Sequence, residues 1–193
     1  MIETLLLAML VAKLKGYNLK PLFKSWTIYP ILVCELVYIL FEISIFMGEY
    51  RFTQYVGVLK LLYLYLFLVP IIKYRQYYSS IIGSIFVVIG TVLNKIAIRY
   101  NDGYMPVFPK LSYWTGYMKP DTFDKVNDIH ILGNSETKLK FLTDIMDIGY
   151  SILSIGDVFI RAFAFIIIYN VIKHLNTEKN RLINHKIQIY ELL

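Results

Sequence analysis

The chain has 193 residues, of which 57% are hydrophobic and only 18% charged, and its mean hydropathy is +0.54. Soluble domains carry about 25% charged residues, so water is not the main solvent, and spans of about 20 residues each leave no room for a separate soluble domain. The formal charge of +6 gathers at the ends of apolar segments, which argues against nucleic acid and for membrane lipids as partners, and the single cysteine, Cys34, excludes an intramolecular disulfide and CxxC chemistry.

Residues 2–14 are apolar, yet they bear Glu3 where a secretory signal would carry Lys or Arg, and Lys13 and Lys15 close the stretch. At ~1.5 Å per residue they cover ~20 Å, so a short or partial span is expected rather than a cleaved signal. The second segment, 27–47, lies between Trp26 and Tyr29 on one side and Glu49, Tyr50 and Arg51 on the other, the flanks of a full span. The third, 55–72, holds Pro70 near its end, and a tight turn leads to the fourth, 79–98. A long polar stretch, 99–148, precedes the last apolar run, 149–172, and a tail, 173–193. The expected fold class is all-α: a polytopic transmembrane helical bundle of about five spans, one integral membrane domain, with a long extracytoplasmic loop between the last two.

Orientation follows from Lys and Arg in short loops. Lys13, Lys15, Lys20 and Lys24, then Lys73 and Arg75, then Lys173, Lys179, Arg181 and Lys186 mark one side as cytoplasmic. The long loop dilutes its bases with Asp102, Asp121, Asp124, Asp128, Glu136, Asp144 and Asp147. The N-terminus is therefore expected outside a cell membrane and the C-terminus inside. In the tail, Leu175, Leu182, Ile183, Ile187 and Tyr190 share a helical face, which suits either a helix lying on the membrane surface or a solvated tail.

Ionisable groups within spans are costly unless paired. Counting from the expected span ends, Glu42 and Lys60 both fall ~8 Å deep and Glu35 and Arg161 both ~18 Å deep, which predicts two intramembrane ion pairs, with Asp157 one turn above Arg161. Glu35 and Glu42 lie on one face, and Ser80, Gly83, Ser84, Gly90, Thr91 and Asn94 form a stripe of small and polar residues expected to pack against that face. Such pairs either fix helix register or line a substrate or proton path.

The most distinctive stretch begins at Asn94 and Asn101-Asp102-Gly103-Tyr104-Met105-Pro106-Val107, a strong turn signal. It continues with His130, then Thr137-Lys138-Leu139-Lys140-Phe141-Leu142-Thr143-Asp144, and ends in Gly156-Asp157-Val158. In this order the motifs resemble a family of bacterial membrane proteins catalogued as domain of unknown function 5317. Asp102 and Thr143 depart from the glycines of that pattern, and Arg161 is no part of it. The resemblance implies a membrane fold and carries no established activity.

Asn94, Asn101, Gly103, Met105, Pro106, His130, Thr137, Asp144 and Asp157 are the candidate ligand-binding residues, and Asp157, His130 and Asp144 the candidates for catalysis. Asp128 and His130 offer two metal-ligand types, but with no His pair or cysteine nearby no metal site is expected, and no cofactor is indicated. No nucleophile elbow accompanies Ser135 or Ser154. Residues 137–148 suit an interfacial or re-entrant segment, and Tyr113, Trp114 and Tyr117 an interface belt. Three functions fit: a non-catalytic component binding a partner protein or a small or lipid-like ligand; a transferase or hydrolase acting on a lipid-linked substrate at the outer leaflet with Asp157 and His130 as acid and base; and a small carrier coupled through Glu35, Glu42 and Asp157.

Overall fold

The computed structural model describes residues 1–126 and 128–191, with side chains described as far as Glu178. Helix α1 (Ile2–Leu14) is followed by the single turn α2 (Lys20–Lys24), and a 3-10 turn at Trp26–Ile28 feeds α3 (Tyr29–Phe46). The next span is α4 (Val56–Leu66) continued by α5 (Leu68–Lys73). It breaks at Phe67 because Pro70 has no N–H to offer the carbonyl of Leu66. After α6 (Tyr77–Tyr100) comes the polar region, and then α9 (Ile155–Glu191).

Among the described residues four helices are long and apolar enough to cross a membrane: Trp26–Phe46, Thr53–Lys73, Tyr77–Tyr100 and Ile155–Glu178. Their exposed faces carry residues such as Val33, Leu36, Leu40, Val58, Leu62, Ile81 and Ile85, an apolar surface that only hydrocarbon satisfies. The protein is thus an all-α membrane bundle, with four such helices among the described residues. The 13-residue α1 is the exception; it buries Leu5, Ala8 and Ala12 against its neighbours. Arg161 donates to Glu3 (3.2 Å) near its start, and Asn176 bonds the backbone of Asn18 (2.8 and 3.0 Å) just past its end. Equal spacing along both chains makes α1 and α9 parallel neighbours.

The tightest helix pair is α6 with α9. A Cβ on Gly90 would run into the Gly156 carbonyl and Ile160, and one on Gly83 into Phe163, so the absence of side chains lets the two backbones meet. The small-residue stripe of α6 therefore faces the last span, not the acid-bearing face of α3 as expected. The last helix also begins at Ile155 rather than near 149. Gly149 turns the chain at φ +90, and Ile152–Leu153 (β4) pairs antiparallel with Met146–Asp147 (β3) before Ser154 caps the helix.

Between α6 and α9 the polar region folds back over one end of the bundle as a lid. Its strand β1 (Met105–Val107) pairs in parallel with β2 (His130–Leu132), and Val107 bridges to Asp144 on its other edge. Residues 137–148 thus run alongside β1, with a 3-10 turn at Lys140–Leu142. Short helices α7 (Leu111–Thr115) and α8 (Thr122–Lys125) complete the lid. Asp147 accepts backbone N–H bonds from Lys110 (2.6 Å) and Ser112 (2.8 Å), so it caps α7 from a distant segment. The amphipathic tail face expected through Leu182, Ile183, Ile187 and Tyr190 lies outside the described side chains.

Replacing Gly90 with Ala is expected to cost about 1–3 kcal/mol through forced separation of α6 and α9. Gly57→Ala, where a Cβ meets nothing within 4 Å, should leave stability unchanged or slightly raised. Thermal unfolding of both variants in detergent measures the difference.

Candidate functional site

A cavity of about 460 Å³ lies between the spans and the lid. Phe41, Ile45, Leu61, Leu64, Val87 and Ile160 give it an apolar wall, whereas Asp128, His130, Asp144 and Asp157 form a polar end. Glu42, Lys60 and Arg161 also reach it from the helices.

The polar end is built by strand pairing. Because β2 sits opposite Met105 and Asp144 opposite Val107, the lid brings His130 and Asp144 to either side of β1. His130 Nδ1 lies 2.8 Å from Asp128 Oδ2 and its Nε2 3.6 Å from Asp144 Oδ2. Asp128 also accepts the His130 backbone N–H (2.8 Å), which fixes the ring's approach. Burial works to lower the His130 pKa, but the bond to Asp128 and the charges of both carboxylates outweigh it and hold it above the usual value. Burial likewise works to raise Asp128, but its bond to His130 and that ring's charge leave its pKa depressed. Asp144 is only 4% exposed, and its Oδ1 has no hydrogen-bond partner among the described residues. Burial first, then the charge of Asp157, push its pKa up to about 7 despite His130 and Lys60.

Asp157 stands at the edge of this cluster in a closed network. Ser154 and Asp157 form a capping box: the Asp157 N–H donates to Ser154 Oγ (2.9 Å) and the Ser154 N–H to Asp157 Oδ2 (3.2 Å). Asn94 ties α6 to it, donating to Asp157 Oδ1 (3.0 Å) and accepting from the Ser154 hydroxyl (2.8 Å). Of the nine candidate ligand-binding residues, His130, Asp144 and Asp157 line the cavity, and the other six serve the frame. Asn101 clamps the lid through two bonds to the Lys138 backbone (both 2.9 Å), and Gly103 turns the chain at φ +92. Met105 packs with Ala97 and Leu142 under the lid, Pro106 lends its carbonyl to the Asp144 N–H (3.1 Å), and Thr137 closes the turn begun by Asn134 (3.1 Å).

The charges within the helices are partnered differently from the depth arithmetic. With α9 starting at Ile155, Arg161 lies only ~9 Å below the helix start, about two turns short of Glu35, and Glu3 meets it instead (3.2 Å). Glu35, 2% exposed, has the Met1 amino group 3.9 Å away and, among the described residues, no hydrogen bond to either oxygen. Glu42 and Lys60 line the same cavity without an ion pair between them. Tyr38 and Tyr50, which no sequence motif marks, also line it, and Tyr117 joins them from the lid rather than an interface belt. For Tyr38 one signal was present: it falls one turn from both Glu35 and Glu42 on the acid-bearing face of α3. Among the described residues no group of three or more His, Cys, Asp or Glu is placed to hold a metal ion.

Fold and site together define a class, a helical membrane protein whose spans and lid enclose an acid-rich, amphipathic cavity. The chain belongs to the family described as Family of unknown function (DUF5317), whose model matches residues 19–169, from the start of α2 well into α9. Helix α1, with Glu3, falls outside the matched region. No curated protein and no solved structure matches the chain.

The raised pKa of Asp144 has a definite sign. The folded protein holds a proton there that the unfolded chain releases above 3.8, so this stability is present at low pH and lost as pH rises toward about 7. His130, also raised, acts in the same direction above 6.5. The thermal unfolding temperature in detergent is expected to fall between pH 5 and 8, and Asp144→Asn should flatten the profile by removing a pH-dependent contribution of roughly 3 kcal/mol over that range.

Proposed function

We propose that the protein is a non-catalytic membrane component that holds a small, lipid-like amphiphile in this cavity, its tail against the aliphatic part of the apolar wall and its head among the acidic and phenolic groups that line the same space. One observation carries the reading: Tyr38 Oη and Asp144 Oδ1 are buried, have no hydrogen-bond partner among the described residues, and line the same 460 Å³ space. Buried polar groups are ordinarily satisfied, and ligand pockets span about 300–1,000 Å³ with apolar walls and a few convergent polar groups. The basic residues Lys13, Lys15, Lys20, Lys24, Lys73 and Arg75 lie in the connections away from the lid, which supports a lid facing away from the cytoplasm of a cell membrane. An amphiphile would then enter from the outer leaflet.

A second reading, a transferase or hydrolase acting on a lipid-linked substrate, is favoured by the Asp128–His130 hydrogen bond. Here His130 is the base oriented by Asp128, and Asp144, protonated near neutral pH, is the acid.

Mass spectrometry of the full chain released from mild detergent is expected to find a bound amphiphile. Val87→Trp, which fills the cavity, should abolish its retention, whereas Leu40→Trp on the lipid-facing surface should not. A stable protein partner with no retained amphiphile would overturn the ligand reading. Turnover of the retained molecule that disappears in His130→Ala would replace it with the enzymatic one.

A further inference from the structure

We propose that the cavity selects amphiphiles with a cationic ammonium head, held by the Glu42 carboxylate within an aromatic enclosure of Tyr38, Phe41, Tyr50, Tyr117 and Phe123. The proposal rests on the amphiphile-binding reading above and names the head-group chemistry. All six residues line the cavity. Glu42 lies on the cavity face of α3, and among the described residues it has neither a salt bridge nor a side-chain hydrogen bond. An intramembrane carboxylate without a partner is costly and marks a place where a cation or a proton is taken up.

The surroundings favour an organic cation. Aromatic faces carry negative electrostatic potential and attract ammonium groups, most strongly where water is excluded. Tyr117 packs edge-on to Phe46, one turn from Glu42, at 5.1 Å between ring centroids. Burial together with the Glu42 charge holds the Tyr117 phenol above its usual range. Tyr50 is anchored to the lid by a 3.0 Å hydrogen bond to Thr122, so the enclosure joins span to lid. Independently of Glu42, the Tyr38 hydroxyl, one turn away on α3 and 7% exposed, has no partner among the described residues and lines the same space.

The remaining charges do not reverse this preference. Arg161 is bonded to Glu3, the Met1 amino group, which also lines the cavity, is paired with Glu3 (3.0 Å) and Glu35 (3.9 Å), and Lys60 acts on Asp128, His130 and Asp144 at the polar end. An anionic head would meet Glu42, Asp128 and Asp157 around one cavity, with like charges opposing its entry. An inorganic cation needs several oxygen ligands, and no such cluster of carboxylates is present among the described residues.

The test compares decyltrimethylammonium, decanol and decyl sulfate, which share one tail and differ in head charge. Each is titrated onto the full chain in neutral-lipid nanodiscs, with empty nanodiscs subtracted. Saturable binding is expected to be tightest for the ammonium and weakest for the sulfate. Glu42→Gln should weaken the ammonium by roughly tenfold or more while leaving decanol unchanged, and Tyr117→Leu should weaken it by a smaller factor. Decylphosphocholine distinguishes the source: binding comparable to the ammonium points to a lipid head group, and much weaker binding to a free cationic amphiphile. If decanol binds saturably but the ammonium gains nothing, or the sulfate binds best, the head-group proposal fails and the cavity reading stands. If none of them binds, both fail.

Discussion

The close approach of α6 and α9 is the constraint from which the rest of the architecture follows. Gly90 and Gly83 remove the side chains that would hold the helices apart, and Asn94 then reaches Ser154 and Asp157 at the point where α9 begins. The polar region leaves from the end of α6 and returns at the start of α9, so this contact brings its two ends together. A lid is the geometric result. Asn101, bonded to the Lys138 backbone, and Asp147, capping α7, then tie its interior so that β1 can carry His130 and Asp144 on its two edges.

The cavity beneath the lid is an electrostatic compromise. Four carboxyl groups line it, and the cations beside them are engaged unevenly: Arg161 and the Met1 amino group by Glu3, His130 by Asp128, and Lys60 by the field of the lid cluster. The other carboxyl groups are accommodated by protonation at Asp144, by backbone and amide donors at Asp157, and at Glu42 by no bonded partner among the described residues. Static helix packing alone would favour closed, neutral pairs. Here Asp144 Oδ1 and Tyr38 Oη have no hydrogen-bond partner among the described residues, and both residues line the same open volume. The matched family region contains the whole lid and both unsatisfied groups, whereas the Glu3 contribution from α1 lies outside it.

Much of the site was visible as residue types without being visible as a site. His130, Asp144 and Asp157 stood out because they fall within the motifs of the family pattern. Asn101, Gly103, Pro106 and Thr137 stood out equally, yet they hold turns and lid contacts. A one-dimensional pattern marks both kinds of residue, since a tight turn and a binding pocket use the same amides and glycines. Tyr50 and Tyr117 were less legible, because an aromatic residue near a span end reads first as an interface anchor, and Tyr38, in the middle of α3, was marked only by its spacing from Glu35 and Glu42.

The amino-acid sequence by itself determined the solvent and the class of fold. Long apolar runs leave the backbone no choice but helix in hydrocarbon, and three of the four long spans fell within a few residues of their expected bounds. Partnering of the charges was decided only by the tertiary structure. Depth arithmetic depends on where each helix starts, and the late start of α9, set by the Gly149 turn and the Ser154 cap, moved Arg161 about two turns away from Glu35 and gave it to Glu3. Hydropathy is a local property that each segment carries alone, whereas the pairing of two buried groups depends on relative positions of helices that no single segment encodes.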